Sequence, residues 1–344
     1  MATDPLRAFV RALPKAELHV HLEGSIPPDL ALRLATRHGV RLPGDEGGAD
    51  GVREAFRFVD FSRFIGTYLA LSRCLQTVED VRDVVVALGE RALGQGIVHA
   101  EVTFTPMTHI ARGVAADTLI EGLLQGRTIA AQRGVSLAFV PDIVRSFVDQ
   151  AVPTLDFALA LQRRDVAAVV GLGLAGPEGV DHPIGPMIDV FARARAAGLR
   201  SLPHAGEFLG PASVRAAIEA LGADRIGHGV RAIEDPDLVA LLAGLQIPLE
   251  VCPSSNVALG VYGELATHPL PHLLAAGVAV SLATDDPALF GVDLVDEYLR
   301  CAAAFGWDAA ALRSLAQASL RHAAAAPEQR ARWLAAASAV PDPA

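Results

Sequence analysis

The sequence predicts an α/β protein: a TIM (β/α)8 barrel of parallel strands with a helical insertion after the first strand. Three observations predict it. Eight short apolar, β-branched runs recur along the 344 residues, and amphipathic Ala/Leu/Arg-rich segments separate most of them. From the second run onward the starts lie about 22 to 37 residues apart, which is the length of a strand plus its crossover helix. Parallel neighbours require such crossovers, and eight units close a barrel. A doubly wound open sheet is the competing architecture.

The strands are read in order as 16–22, 98–105, 135–141, 166–174, 199–204, 225–228, 247–252 and 279–284. The first, "AELHVHL", alternates apolar and polar residues as a half-buried strand does. Helical patterns at 186–198, 211–222 and 234–244 follow later strands, and two of them end on Gly198 and Gly222, the glycine position just past a helix. The interval 24–97 holds more than one helix, with a Gly/Asp-rich break at 43–51 and an apolar stretch beyond it. It is read as a helical cap over the C-terminal face, where barrels keep their sites. Extra core helices without a part in the site are the other reading. The chain is taken as one domain, with C-terminal helices and a tail over 305–344.

Composition narrows the function. The chain is 51% hydrophobic with a net charge of −10, and no Lys/Arg block stands out, so nucleic acid and anionic membranes are not expected partners. No signal-peptide pattern or membrane-length apolar run occurs, and Cys74, Cys252 and Cys301 are scattered. A cytoplasmic location is the expectation. Oligomeric state is left open. No G-x-G-x-x-G or phosphate loop follows an early strand, and "GLGLAG" at 171–176 opens no helix, which argues against a nucleotide cofactor.

Chemistry-bearing residues gather at one place in this pattern. His19 and His21 end the first strand, His204 and Glu207 the fifth, His228 the sixth, and Asp285 and Asp286 the eighth. Each is commonplace alone. Together, at the C-terminal ends of strands that a barrel brings to one rim, they read as a metal site. Three imidazoles and a carboxylate suit Zn2+ with a position open for water, whose pKa falls to about 7. The single lysine, Lys15, precedes the first strand, so the middle strands offer no carboxylated lysine to bridge two ions. One Zn2+ per chain is expected, leaving Glu207 and His228 for proton transfer. The "HLE" at 21–23 matches half of the cytidine-deaminase signature, but "VCPSSN" lacks its Pro-Cys-x-x-Cys partner.

"PKAELHVHLEGS", "LPHAGE", "RIGHG", "LEVCPSSN" and "SLATDDP", in this order, resemble the adenosine deaminase family from Pro14 to about Phe290. The resemblance implies His19, His21, His204 and Asp285 as zinc ligands. It implies Glu207 as the acid that protonates N1 of a purine and His228 as the group that orients or deprotonates the zinc water. Asp286 would lie near that water and N7, Gly176 would offer its N–H to N3, and Glu23 would face the substrate. The implied reaction is hydrolytic deamination of a 6-aminopurine to the 6-oxopurine and ammonia. Within the family, adenosine deaminases usually carry Asp at the Glu23 position, and adenine deaminases usually carry Asp at the Gly227 position. Short matches, "AEVTFTP", "GPE" and "SLPHAGE", resemble the aminodeoxyfutalosine branch that serves menaquinone synthesis. The expectation is therefore a nucleoside, aminodeoxyfutalosine or adenosine. Adenine deaminase, a mononuclear zinc amide or ester hydrolase, and a non-catalytic barrel are the alternatives.

Overall fold

The computed structural model describes residues 4–57, 59–179 and 181–343. Its strands are β1 (Lys15–His21), β2 (Ile97–Phe104), β3 (Ser136–Val144), β4 (Gly171–Ala175), β5 (Arg200–Ala205), β6 (Ile226–His228), β7 (Leu249–Val251) and β8 (Val280–Leu282). They are parallel and neighbour one another in chain order. The ring closes just beyond β8, where Val20 bridges Asp285 and the His21 N–H donates to the Asp285 carbonyl at 2.8 Å. This is the TIM barrel that the sequence predicts.

All eight predicted runs contain a strand, with one local difference. Residues 166–168 form a 3-10 turn. Asp165 draws them out of the sheet by accepting the Ala167 N–H at 2.9 Å, a side-chain contact that competes with strand pairing. Val166 is 73% exposed there, so this apolar residue belongs to no strand face.

Between β1 and β2 lie helices Pro28–His38, Gly48–Ala55, Phe61–Ser72 and Val78–Gly94. The Gly/Asp-rich break turns the chain through Gly44 and Gly48, both at positive φ, a backbone region that favours glycine. Val78–Gly94 is the crossover to β2. It starts on a Thr77/Asp80 capping box and packs closely on helix Ala116–Gln132, where Gly122 and Gly126 leave room for Val81 and Val85. Helix Phe61–Ser72 instead lies over the C-terminal mouth. Phe58, in the apolar stretch before it, lies outside the described residues.

The opposite end of the barrel is closed by the C-terminal segment. Leu320, Ala323 and Ala337 pack on Ala16 and Leu18 of β1. Beside them the buried Arg225 guanidinium joins Glu101 and Glu250, and donates to the His322 carbonyl at 3.0 Å. A buried charge persists only when paired and hydrogen-bonded in this way. Among the described residues no helix is long and apolar enough to cross a membrane.

Candidate active site

His19 and His21 are two residues apart on β1, so both project into the barrel, with ring centroids 5.6 Å apart. His204, from β5, brings its ring to 4.5 Å from His19 and 5.5 Å from His21. Asp285 follows β8 and sets Oδ1 3.5 Å from His19 Nε2 and 3.2 Å from His21 Nε2. Ligand atoms of His19, His204, His228 and Asp285 lie within 4.8 Å of one another, as do those of His21, Asp285 and Asp286. The fold thus brings together every residue predicted as a ligand, and His228 beside them.

Several details favour a cation at this point. His19 Nε2 is buried without a hydrogen-bond partner, which would be costly if nothing met its lone pair. His19 Nδ1 faces Glu250 Oε2 at 3.0 Å, and Arg225 Nε donates to the other Glu250 oxygen at 2.5 Å. Such a carboxylate fixes the Nδ1–H tautomer and turns the Nε2 lone pair toward the centre. Ser255 Oγ donates to Asp285 Oδ2 at 2.7 Å and orients that carboxylate. Burial opposes charge on both β1 histidines, yet Asp285 and Glu250 raise His19 to about 10, and Asp286 and Asp285 raise His21 to about 9. The cation-free cluster therefore carries protons that a divalent ion would displace.

His228 and Asp285 sit at φ 62° and 65°, in the left-handed region where a non-glycine residue costs about 1–3 kcal/mol. Both are held there by neighbouring strands: the Asp285 N–H donates to the His19 carbonyl at 3.3 Å, and His228 pairs with Ala205 of β5.

Glu207 sits in the loop after β5. One half-buried carboxylate, Glu178, holds that loop by accepting the N–H groups of Gly206, Glu207, Phe208 and Leu209 at 2.8, 2.9, 2.8 and 3.1 Å, and the Ser213 hydroxyl. Glu207 Oε1 lies 3.7 Å from His228 Nδ1 and has no hydrogen-bond partner. Burial, reinforced by the charges of Asp285 and Glu178, holds the Glu207 carboxyl well above the usual range. Burial likewise raises Asp286 to about 7, with His21 opposing and Asp285 and Glu23 adding to the shift. Gly176 follows β4 at φ 92° and borders the same cavity.

That cavity, about 440 Å3, opens at the C-terminal mouth, and Phe61, Phe64, Ile65, Tyr68 and Leu69 of the overlying helix line it. Glu23 does not line it. Strand β1 ends at His21, and Glu23 begins a 3-10 turn, so the alternation that puts His19 and His21 on one face stops before it. Glu23 is 0% exposed, accepts from Tyr68 OH at 3.0 Å, and pairs with His109 Nε2 at 2.8 Å. Tyr68, and not Glu23, lines the cavity.

Gly227 packs against two of the ligand rings. An added Cβ would lie 2.7 Å from His19 Cε1 and 3.3 Å from His204 Cγ. The absence of a side chain at Gly227 thus leaves room for both rings. Gly227→Ala is expected to weaken zinc affinity about tenfold by displacing the His19 ring. A chelator-competition titration checks this, and unchanged affinity refutes it.

Sequence patterns missed Glu250, Arg225, Ser255 and Glu178. All four stood inside noted motifs, Glu178 in "GPE", Arg225 in "RIGHG" and Glu250 and Ser255 in "LEVCPSSN", but none was assigned a role there.

Comparison with known proteins agrees with this geometry. A family model described as adenosine deaminase matches residues 14–339. Adenine deaminase from Streptomyces coelicolor is 42% identical over 330 residues, covering 94% of each chain. The crystal structure of an adenine deaminase from Arthrobacter aurescens superposes with a TM-score of 0.88 at 36% identity, over 95% of this chain and 98% of that one. An amidohydrolase from Burkholderia ambifaria with bound zinc gives a TM-score of 0.88 at 28% identity, over 98% and 93%.

Proposed function

Because this chain belongs to the adenosine deaminase family, metal-dependent hydrolases of C–N bonds in cyclic amidines, we propose that it converts the free base adenine and water to hypoxanthine and ammonia. The observation that carries the choice of base over nucleoside is the enclosure of Glu23. In the family resemblance this position meets a ribose. Here both its oxygens are engaged, by Tyr68 and His109, and the cavity is bordered by the tyrosine and its apolar neighbours. A ribose hydroxyl directed there would lose water without gaining the carboxylate. The Streptomyces and Arthrobacter relatives, both adenine deaminases, support the same reading. It replaces the nucleoside expectation, which rested on Gly227 and on short matches to the aminodeoxyfutalosine branch.

The residue roles follow from where charge develops. A ring carbon such as C6 is a poor electrophile until N1 takes a proton. Glu207, buried among carboxylates and therefore protonated near neutrality, is the group to deliver it. Asp286 lies beside the ligand cluster, where it faces the attacking water and N7, and Gly176 offers its N–H to N3. His228 would face the water from the end of β6. His19, His21, His204 and Asp285 would hold one zinc ion, which when bound supplies a water activated near neutral pH. Glu178 holds the loop that aims Glu207.

Side-by-side kcat/KM values for adenine, adenosine and aminodeoxyfutalosine test the substrate assignment. Adenine is expected to lead by roughly tenfold to a hundredfold, the cost of one or more buried unpaired hydroxyls at about 1–3 kcal/mol each. A nucleoside equal to or better than adenine would overturn it.

A further inference from the structure

We propose that Asn256 and His268 are positioning residues that fix His228 as its Nε2–H tautomer, so that His228 gives a hydrogen bond to the attacking oxygen and does not take its proton. The tautomer follows from hydrogen-bond polarity alone, whereas the consequence for the attacking oxygen rests on the deaminase reading above.

The polarity starts at a group that has no choice. The Leu270 backbone N–H donates to His268 Nδ1 at 3.2 Å, and a backbone N–H is only ever a donor. His268 Nδ1 is therefore an acceptor. His268 is 2% exposed and burial lowers its pKa to about 4, so the ring is neutral and its hydrogen is on Nε2. That nitrogen faces Asn256 Oδ1 at 3.2 Å. A donor there requires the amide oxygen on this side, which settles the amide orientation independently of how its two ends would otherwise be distinguished.

The Asn256 amide nitrogen then faces His228 Nδ1 at 3.4 Å. Nδ1 must accept, and a neutral imidazole with an accepting Nδ1 carries its hydrogen on Nε2. Glu207 Oε1, 3.7 Å from Nδ1, lies beyond hydrogen-bond distance, so the amide is the partner of that nitrogen and Nε2 is the one left for another. Asn256 is 0% exposed, so water does not compete for either end of its amide. The relay spans three segments: the loop before helix Leu270–Ala275, helix Pro253–Ala258 after β7, and the end of β6. Its direction is set by a helix-end N–H remote from the chemistry.

The sequence left His228 two roles, orienting the water or deprotonating it. The relay selects the first. An imidazole whose Nε2 already bears hydrogen accepts nothing at that atom, and its Nδ1 lone pair is spent on the amide. The positive φ of His228 (62°) fits a side chain held in one placement at some backbone cost.

Nitrogen NMR of the full chain, loaded with zinc and labelled at its histidines, tests this directly. His228→Gln assigns the resonances. The expected result is a pyridine-type Nδ1 and a pyrrole-type Nε2 for His228 in the unmutated protein. Asn256→Asp presents carboxylate oxygen to both rings and should exchange the two signals, with zinc content kept and kcat reduced about 10–100-fold at little change in KM. His268→Gln, which can still donate to Asn256, should stay close to the unmutated kcat, while His268→Leu should not. A pyrrole-type Nδ1 in the unmutated protein overturns the proposal, even if Asn256→Asp fails to fold. Unchanged kcat in a zinc-loaded, folded Asn256→Asp protein also overturns it. If adenine were not the substrate, the tautomer signals would still decide the relay, so the two failures are distinct.

Discussion

Glu207→Gln is expected to retain zinc and lose about 10^2–10^4-fold in kcat. Glutamine keeps the size and one hydrogen-bond donor of the carboxylic acid but has no proton to transfer to N1. The surrounding loop should survive, because Glu178 grips it through backbone N–H groups that the substitution leaves in place. The pH profile supplies a second readout. Burial keeps the Glu207 carboxyl protonated well above the usual range, so the unmutated enzyme should lose activity only as pH rises through that elevated pKa. The residual activity of the glutamine variant should lack this alkaline limb. Near-normal turnover with unchanged metal content would remove Glu207 from the acid role.

Removal of the cation should be as severe. Purified protein is expected to hold about one zinc per chain. Chelation should abolish deamination and lower Tm, since an ion that binds only the folded state stabilises it by mass action. Apparent zinc affinity should increase with pH. In the metal-free cluster His19 titrates at about 10 and His21 at about 9, so below pH 9 each proton displaced contributes up to about tenfold per pH unit. Affinity should level off above those values. Metal analysis with a competing chelator at several pH values measures both effects. Two ions per chain, or none after repletion, would refute the mononuclear site, and affinity independent of pH would refute the displaced protons.

Much of this site is legible in the chain because a parallel barrel converts linear position into spatial position. A residue at the C-terminal end of any strand reaches the same rim, so His19, His21, His204, Glu207, His228, Asp285 and Asp286 could be grouped before any distance was known. The β1 histidines also share a face by simple alternation. Helix boundaries were readable for a similar local reason, as at Gly222, which adopts φ 61° just past its helix.

The resemblance set Glu23 against the substrate, whereas in the structure the strand ends at His21 and a turn begins. Alternation had no means of finding Tyr68, 45 residues away, or His109, 86 residues away, on the two Glu23 oxygens. Gly227 likewise has neighbours that no local pattern reveals. Its lack of a side chain leaves room for the rings of His19 and His204 across the barrel.

The sequence by itself therefore determined the barrel, the rim on which the site lies, and the residue types of a candidate metal centre, since each depends on strand order and local period. Only the tertiary structure decided which carboxylate orients each ligand, which way the hydrogen bonds run through Asn256, and whether Glu23 is open to a ribose. Those depend on the direction and burial of side chains from distant segments. A hydrogen bond has a donor end and an acceptor end, and both are known only when the two groups have been brought face to face.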